Sequence, residues 1–331
     1  MMNKTSHARR AGRGRWDSIV MNDEQNHIVP TLDHVIGQAA SIAVIRTAIN
    51  SYFYERSKVG DQQAFPHTLF TGPSGTGKTL LSETIARELC VNLHSELSQN
   101  LKSPEHIHGL LMMLEPGDCL FLDEIHELRH QVTLYRAVEE GKLFLGKRHV
   151  VKLPPFCLIG ATTHEFNLHR SMIQRFAIHV RLRHYTDDEM FQLLRQRAKR
   201  IGWLIEDDAV RMIAKRSRGV ARLGVRMLEG SKRTASAAST DNITPAHVER
   251  MFQESQIDSL GLDPVEQHYL HILRDVDGPV RLNVIATHLG LPRKTVEVLE
   301  EDFIRLGLVT KSDKGRMLTP KGIEHLAGSS E

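Results

Sequence analysis

Residues Gly72-Pro73-Ser74-Gly75-Thr76-Gly77-Lys78-Thr79 follow the spacing G-x-x-x-x-G-K-[ST], a phosphate-cradling P-loop. The chemistry requires these residue types. Glycines let the backbone turn so that its N–H groups converge on an anion, and a following helix adds the positive end of its dipole. Lys78 then reaches the β- and γ-phosphates of a nucleotide, and Thr79 offers its hydroxyl to Mg²⁺. Downstream, Cys119-Leu120-Phe121-Leu122-Asp123-Glu124 ends an apolar run in two carboxylates. In a P-loop protein this is the Walker B pattern, in which Asp123 orients the Mg²⁺ shell and Glu124 polarises the attacking water. A second apolar run, Phe156 to Thr163, ends in two hydroxyls that can present a polar group near the γ-phosphate. Arg175, in Gln174-Arg175-Phe176, follows a polar linker. An arginine there stabilises transition-state charge, in trans if the protein forms a ring; taken alone, it reads equally well as a surface arginine.

The elements that must hold these residues are legible in outline. Thr68 to Phe70 reads as a buried strand, and Leu80 to Leu89 has helical apolar spacing. Strand, Gly-rich turn and helix is the context a P-loop needs. Upstream, Ala39 to Tyr54 reads as a helix. Asn92 to Ser103 reads as a polar loop, His106 to Leu114 as a helix and Pro116-Gly117 as a turn. Lys142 to Lys152 alternates apolar and basic residues around Gly146-Lys147 and predicts a β-hairpin. The four apolar residues before Asp123 predict a buried parallel strand, and Phe156 to Thr163 reads as another buried strand. From Asp187 the pattern turns helical, with acids favourable at the first helix's dipole. Glu206 to Ser217, Arg222 to Ala235 and Thr244 to Gln253 make three more helices, with Arg218, Arg222 and Arg226 on a basic face. Gln267 to Asp275, Leu282 to Leu289 and Lys294 to Leu306 follow. A hairpin then flanks Ser312-Asp313-Lys314-Gly315, so the C-terminal unit reads as a winged helix-turn-helix.

Composition bounds the rest. The chain has 331 residues, 40% hydrophobic and 25% charged, with a net charge of +3, which suits a globular protein of two or three domains. No apolar run approaches a membrane span, and the N-terminus lacks the apolar core of a secretory signal. Cys90, Cys119 and Cys157 have no metal-ligand spacing and fit buried thiols in a reducing cytoplasm. Met1 to Arg15 holds Lys4, Arg9, Arg10, Arg13 and Arg15 with no acid, so residues 1–30 read as a basic arm and linker. Residues 258–331 hold nine Lys/Arg against twelve Asp/Glu, so DNA binding there would need a local basic patch.

With these segments in place the chain resembles the RuvB family, Holliday-junction branch-migration ATPases of the AAA+ class. The likeness runs from about Leu32 to Leu326. Its carriers are Leu32-Asp33-His34-Val35-Ile36-Gly37-Gln38, the P-loop, Leu122-Asp123-Glu124-Ile125-His126, Leu153-Pro154-Pro155-Phe156, Gly160-Ala161-Thr162-Thr163, Arg175-Phe176, Arg216-Ser217-Arg218-Gly219 and Gly261-Leu262-Asp263. The resemblance implies an α/β P-loop AAA+ domain over 31–185, with a parallel sheet flanked by helices. A helical lid over 186–257 and a winged helix DNA-binding domain over 258–331 follow. It implies ATP and Mg²⁺ as cofactors, with Gly72, Gly75, Gly77, Lys78, Thr79 and Leu80 around the nucleotide. Thr163 matches the sensor-1 position, Arg175 the arginine finger, Tyr185 an aromatic lining the nucleotide pocket and Arg222 the sensor-2 arginine. Lys311 and Arg316 fall where the family has basic wing residues on DNA. The implied partners are branched DNA, further copies in a ring, expected to be a hexamer, and a RuvA-type junction-binding protein.

Three features depart from the family. Ile28-Val29-Pro30 lacks the arginine that precedes this proline, the hairpin before Pro154 is shorter, and the wing tip is less basic. A rival expectation is a nucleotide-switched module whose winged helix binds protein without moving DNA.

Overall fold

The computed structural model describes residues 31–59, 63–145, 149–276 and 278–328. The basic arm, Ile28-Val29-Pro30 and the hairpin turn at Gly146-Lys147 lie outside the described residues. The chain divides into two compact units, one holding residues up to Trp203 together with Gly219–Leu223, the other Leu204–Arg218 and everything from Gly224 onward.

The first unit is built on five parallel strands: β1 (Thr68–Thr71), β2 (Leu93–Leu97), β3 (Cys119–Asp123), β6 (Cys157–Thr162) and β7 (Ile178–Arg181), in the order β2-β3-β6-β1-β7. Alternate side chains explain why β1, β3 and β6 are apolar without a break. Phe70, Phe121 and Ile159 face a core shared with Ile45, Ile49 and Ile85. Leu69, Leu120, Leu122 and Leu158 face the opposite core, with Ile107, Leu111, Leu134 and Met172. Both faces are covered, so neither can be polar. The first core is roofed by α1 (Ala39–Val59) and α2 (Lys78–Glu88), the second by α3 (Pro104–Met112), α4 (Gln131–Glu140) and the single turn α5 (Arg170–Ile173). β4 (Lys142–Leu145) and β5 (His149–Lys152) pair antiparallel as the expected hairpin.

Two expectations need correction here. Leu93–Leu97 lies within the stretch read as a polar loop, yet it is a strand paired along its length with β3. As an edge strand it buries little, and Leu-His-Ser-Glu-Leu carries no apolar run to betray it. Helix α1 also runs beyond Tyr54 to Val59.

The first unit ends with α6 (Asp187–Arg200). It starts where predicted because Thr186 and Glu189 form a reciprocal capping box. The second unit opens with α7 (Asp207–Arg216), most of α8 (Ala221–Ala237) and α9 (Pro245–Glu254), with a short parallel pair, β8 (Leu204–Ile205) and β9 (Asn242–Ile243). α10 (Pro264–Arg274), α11 (Leu282–Leu289) and α12 (Arg293–Arg305) then precede the wing, β10 (Val309–Ser312) and β11 (Gly315–Leu318). Val296 and Phe303 of α12 are buried, and Leu299 and Leu306 pack beside them, as the spacing predicted. A closing helix, α13 (Pro320–Gly328), was not foreseen. It has a glycine inside it because a Cβ at Gly322 would lie 2.3 Å from the Leu308 carbonyl oxygen.

Arg218 was expected on an exposed basic face. It is instead buried, and its guanidinium meets both oxygens of buried Glu266 at 2.9 and 3.1 Å. The pair joins the end of the lid helices to the first winged-helix helix within one unit.

Candidate active site

The site lies at the carboxyl ends of β1, β3 and β6, where an open parallel sheet leaves a crevice. After β1 the chain turns through the P-loop, and Gly77 takes φ 103°, a left-handed value that a side chain would resist. That turn sets Lys78 as the first residue of α2. Lys78 is buried, and its Nζ donates to the carbonyls of Gly72 at 2.7 Å and Pro73 at 3.0 Å. Asp123 ends β3. Glu124 follows at φ 47°, ψ 51°, a strained conformation for a side chain of its size. The reversal turns the second carboxylate out of the strand's alternation, so both acids face the same crevice.

A pocket of about 240 Å³ is lined by Ser74, Gly75, Gly77, Lys78, Thr79, Asp123, Glu124, Ala221 and Arg222. Seven of the residues singled out from sequence therefore converge, although Arg222 is far from the others along the chain. Its Nη1 donates to Ser74 Oγ at 3.3 Å. The approach is close: a Cβ at Gly75 would lie 2.9 Å from Val220 and 3.1 Å from Arg222.

The remaining candidates lie beside the pocket or away from it. Gly72 contributes its carbonyl to Lys78. Leu80 is exposed and takes no part in the lining. Tyr185 is buried beneath the loop and donates its hydroxyl to the Thr76 carbonyl at 3.0 Å, so it braces the P-loop. Thr163 stands just past β6 and donates from both N and Oγ1 to Glu124 Oε2, each at 3.1 Å. Arg175 is outside its own chain's pocket, paired with Glu139.

Sequence reading missed Ser74 and Ala221 as lining. It also gave no role to buried Gln38, which bonds the Arg183 carbonyl at 2.6 Å and the Arg183 N–H at 3.2 Å and so steadies the approach to Tyr185. No local pattern signals a contact between residues so far apart.

The charges are mutually dependent. Burial pulls the Lys78 ammonium below its usual range, Glu124 and Asp123 draw it back up, and Arg222 opposes them. Burial lifts the Asp123 carboxyl, against the Glu124 backbone N–H that bonds it at 3.0 Å. Two cations for phosphate oxygens stand beside a carboxylate and a hydroxyl. These last are the hard oxygen donors that suit Mg²⁺.

Comparison with known proteins decides the family. Residues 29–182 match the model of the Holliday junction DNA helicase RuvB P-loop domain. Residues 185–258 match the RuvB AAA lid domain and 259–327 the RuvB C-terminal winged helix domain. A RuvB subunit of the Holliday junction branch migration complex from Fervidobacterium nodosum is 34% identical over 307 residues, 89% of this chain and 87% of its own. The chain belongs to the RuvB family. The solved structure of Thermotoga maritima RuvB, a Holliday junction branch migration motor, superposes with TM-score 0.80 at 32% identity. It covers 90% of this chain and 97% of the Thermotoga one. A single-residue variant of that protein gives 0.81 with the same identity and coverage. As a RuvB-family AAA+ protein the chain is a nucleotide-binding ATPase, and the pocket above holds the P-loop that defines it.

The RuvB wing separates its two basic residues. Lys311 is half-exposed, 3.4 Å from Glu300 Oε2. Arg316 is turned inward, its side chain only 12% exposed, and its Nε and Nη2 grip both oxygens of Glu300, itself 3% exposed. The Tyr269 hydroxyl donates to the same carboxylate at 3.0 Å. Of the two wing residues expected on DNA, Arg316 is sealed against a buried acid, while Lys311, beside the same acid, is half-exposed and faces outward. Lys311→Ala should weaken DNA binding alike across sequences and flatten the salt dependence by roughly one unit of slope. Arg316→Ala should instead lower unfolding stability by about 3 kcal/mol, because it leaves Glu300 buried without its main partner. Salt titrations of DNA binding and denaturant melts of both variants separate the two roles.

Proposed function

We propose that the chain is an ATP-driven motor that moves the branch point of Holliday junctions during recombination and repair, as the RuvB relatives are named for doing. The convergence of Lys78, Thr79, Asp123, Glu124 and Arg222 on one pocket carries the reading. In it, Lys78 and Arg222 hold the phosphate charges, with backbone N–H groups of the P-loop. Thr79 and Asp123 would hold Mg²⁺, which would supply positive charge to the phosphates. Glu124 orients the attacking water and takes its proton. Thr163 links Glu124 to the end of β6, Tyr185 fixes the P-loop from below, and Arg175 serves the nucleotide of a neighbouring copy.

The same reading places the winged helix on DNA through Lys311, with the motor assembled as a hexameric ring in the cytoplasm beside a RuvA-type partner. Among the described residues no helix is long and apolar enough to cross a membrane. The domain limits inferred from sequence, 31–185, 186–257 and 258–331, serve as the working division. The test is ATP-driven dissociation of a synthetic four-way junction by the purified protein, with and without a RuvA-type partner. Dissociation that needs hydrolysable ATP is expected. ATP turnover without dissociation under either condition would leave an ATPase that is not a junction motor.

A further inference from the structure

Glu124 is held by more than the sensor-1 threonine. Its Oε2 accepts from the Thr163 N–H and hydroxyl, and lies 3.2 Å from Nδ1 of His126. His126 sits in the 3-10 turn Ile125–Glu127 that follows directly, and its side chain is 11% exposed. The same Nδ1 is 2.9 Å from the hydroxyl of buried Thr162.

Counting protons orders these contacts. An ionised carboxylate only accepts, so the tautomer that suits this contact has a proton on Nδ1 of His126, shared between Thr162 Oγ1 at 2.9 Å and Glu124 Oε2 at 3.2 Å. The Thr163 hydroxyl has a single proton, given to Glu124, so His164 Nδ1, 2.8 Å away, is a donor to that oxygen. The His164 backbone N–H donates to Thr162 Oγ1 at 3.0 Å, and the two imidazoles stand 5.0 Å apart. Every contact that these groups make with Glu124 is to Oε2, and Oε1 takes none of them. A glutamate in a left-handed backbone conformation is thereby tied by one oxygen only.

We propose that His126 is a positioning residue for catalysis: its Nδ1–H, shared with the Thr162 hydroxyl oxygen, bears on Glu124 Oε2, so that Oε1 is presented to the attacking water. Thr162 steadies the imidazole, and His164 steadies the threonine that shares the grip. The inference rests on the assignment of Glu124 as the water-polarising carboxylate. A carboxylate displaced by about an ångström loses up to a hundredfold in rate without any change in what binds the nucleotide.

The test is steady-state Mg-ATP hydrolysis by the full chain carrying His126→Leu or His126→Asn, with thermal melts of each. His126→Leu removes the donor and keeps an apolar filler. Its kcat should fall about ten- to a hundredfold, with KM for ATP within about twofold of the parent. In His126→Asn the amide nitrogen occupies much the same place as Nδ1, and most of the lost kcat should return. A parent-like or higher kcat in His126→Leu, or an asparagine variant no better than leucine, overturns the proposal. If His126→Leu does not fold, Thr162→Val carries the test, because it deletes the hydroxyl that steadies the ring. It should lower kcat at constant KM, and unchanged kcat would again overturn the idea. Glu124→Gln is run alongside. Parent-like turnover in that variant would remove the assignment of Glu124 itself, whatever the histidine variants do.

Discussion

Arg175→Ala is expected to hydrolyse ATP about 10³–10⁵-fold more slowly than the parent while binding ATP nearly as well. The arginine stands outside its own chain's pocket, on the segment after α5, and buried Phe176 anchors that segment in the core. Its guanidinium pairs with Glu139, and both side chains are partly exposed, at 36% and 42%. That pair offers a purely structural role for Arg175, and the magnitudes separate the two roles. A partly exposed ion pair contributes about 0–1 kcal/mol, whereas a thousandfold loss in rate corresponds to about 4 kcal/mol. Losing the pair alone should leave turnover near the parent's, whereas losing a bidentate phosphate partner in the transition state should give the full loss. Glu139→Ala should therefore stay close to parental turnover, and a Glu139 variant as slow as Arg175→Ala would favour the structural role.

Mixing decides whether the finger works in trans. Arg175→Ala keeps a nucleotide site and lacks the finger, while Lys78→Ala keeps the finger and lacks the site. Each alone should be nearly inactive. Together they should recover part of the activity, because some interfaces then join an intact site to an intact finger. No recovery in assemblies shown to contain both variants would rule out the trans role.

Glu124→Gln should bind ATP within a few-fold of the parent and turn it over about 10²–10⁴-fold more slowly. The substitution keeps the shape and an oxygen that can accept from Thr163, but removes the charge that takes a proton from water. Asp123→Asn should behave differently. It weakens the Mg²⁺ donor set, so its defect should ease as Mg²⁺ is raised, while that of Glu124→Gln should not. Nucleotide binding by fluorescence, paired with turnover across a Mg²⁺ series, reads both. A glutamine variant with parental turnover would mean that another group activates the water.

The P-loop and the Asp123-Glu124 pair were legible because their geometry is local. A strand, a glycine turn and a helix start are adjacent in the chain, and an apolar run ending in acids reports a buried strand reaching a crevice. The winged helix was legible for a related reason: three amphipathic helices and a turn-separated hairpin each carry their own periodicity. Strand β2 was not legible, since a half-exposed edge strand needs no apolar run.

Tertiary structure alone decided the partners. Glu124 meets Thr163 because β3 and β6 lie side by side in register, and Arg222 reaches Ser74 across the pocket. Arg316 and Lys311 share the short wing and look alike in sequence, yet one is sealed against Glu300 and the other is half-exposed. By itself the sequence determined which groups could do chemistry and which elements carry them, because side-chain type and local periodicity are properties of the chain. Which charges are neutralised, which oxygen of Glu124 is held and which arginine stays outside its own chain's pocket depend on burial and on contacts between distant segments, and those exist only once the strands have paired.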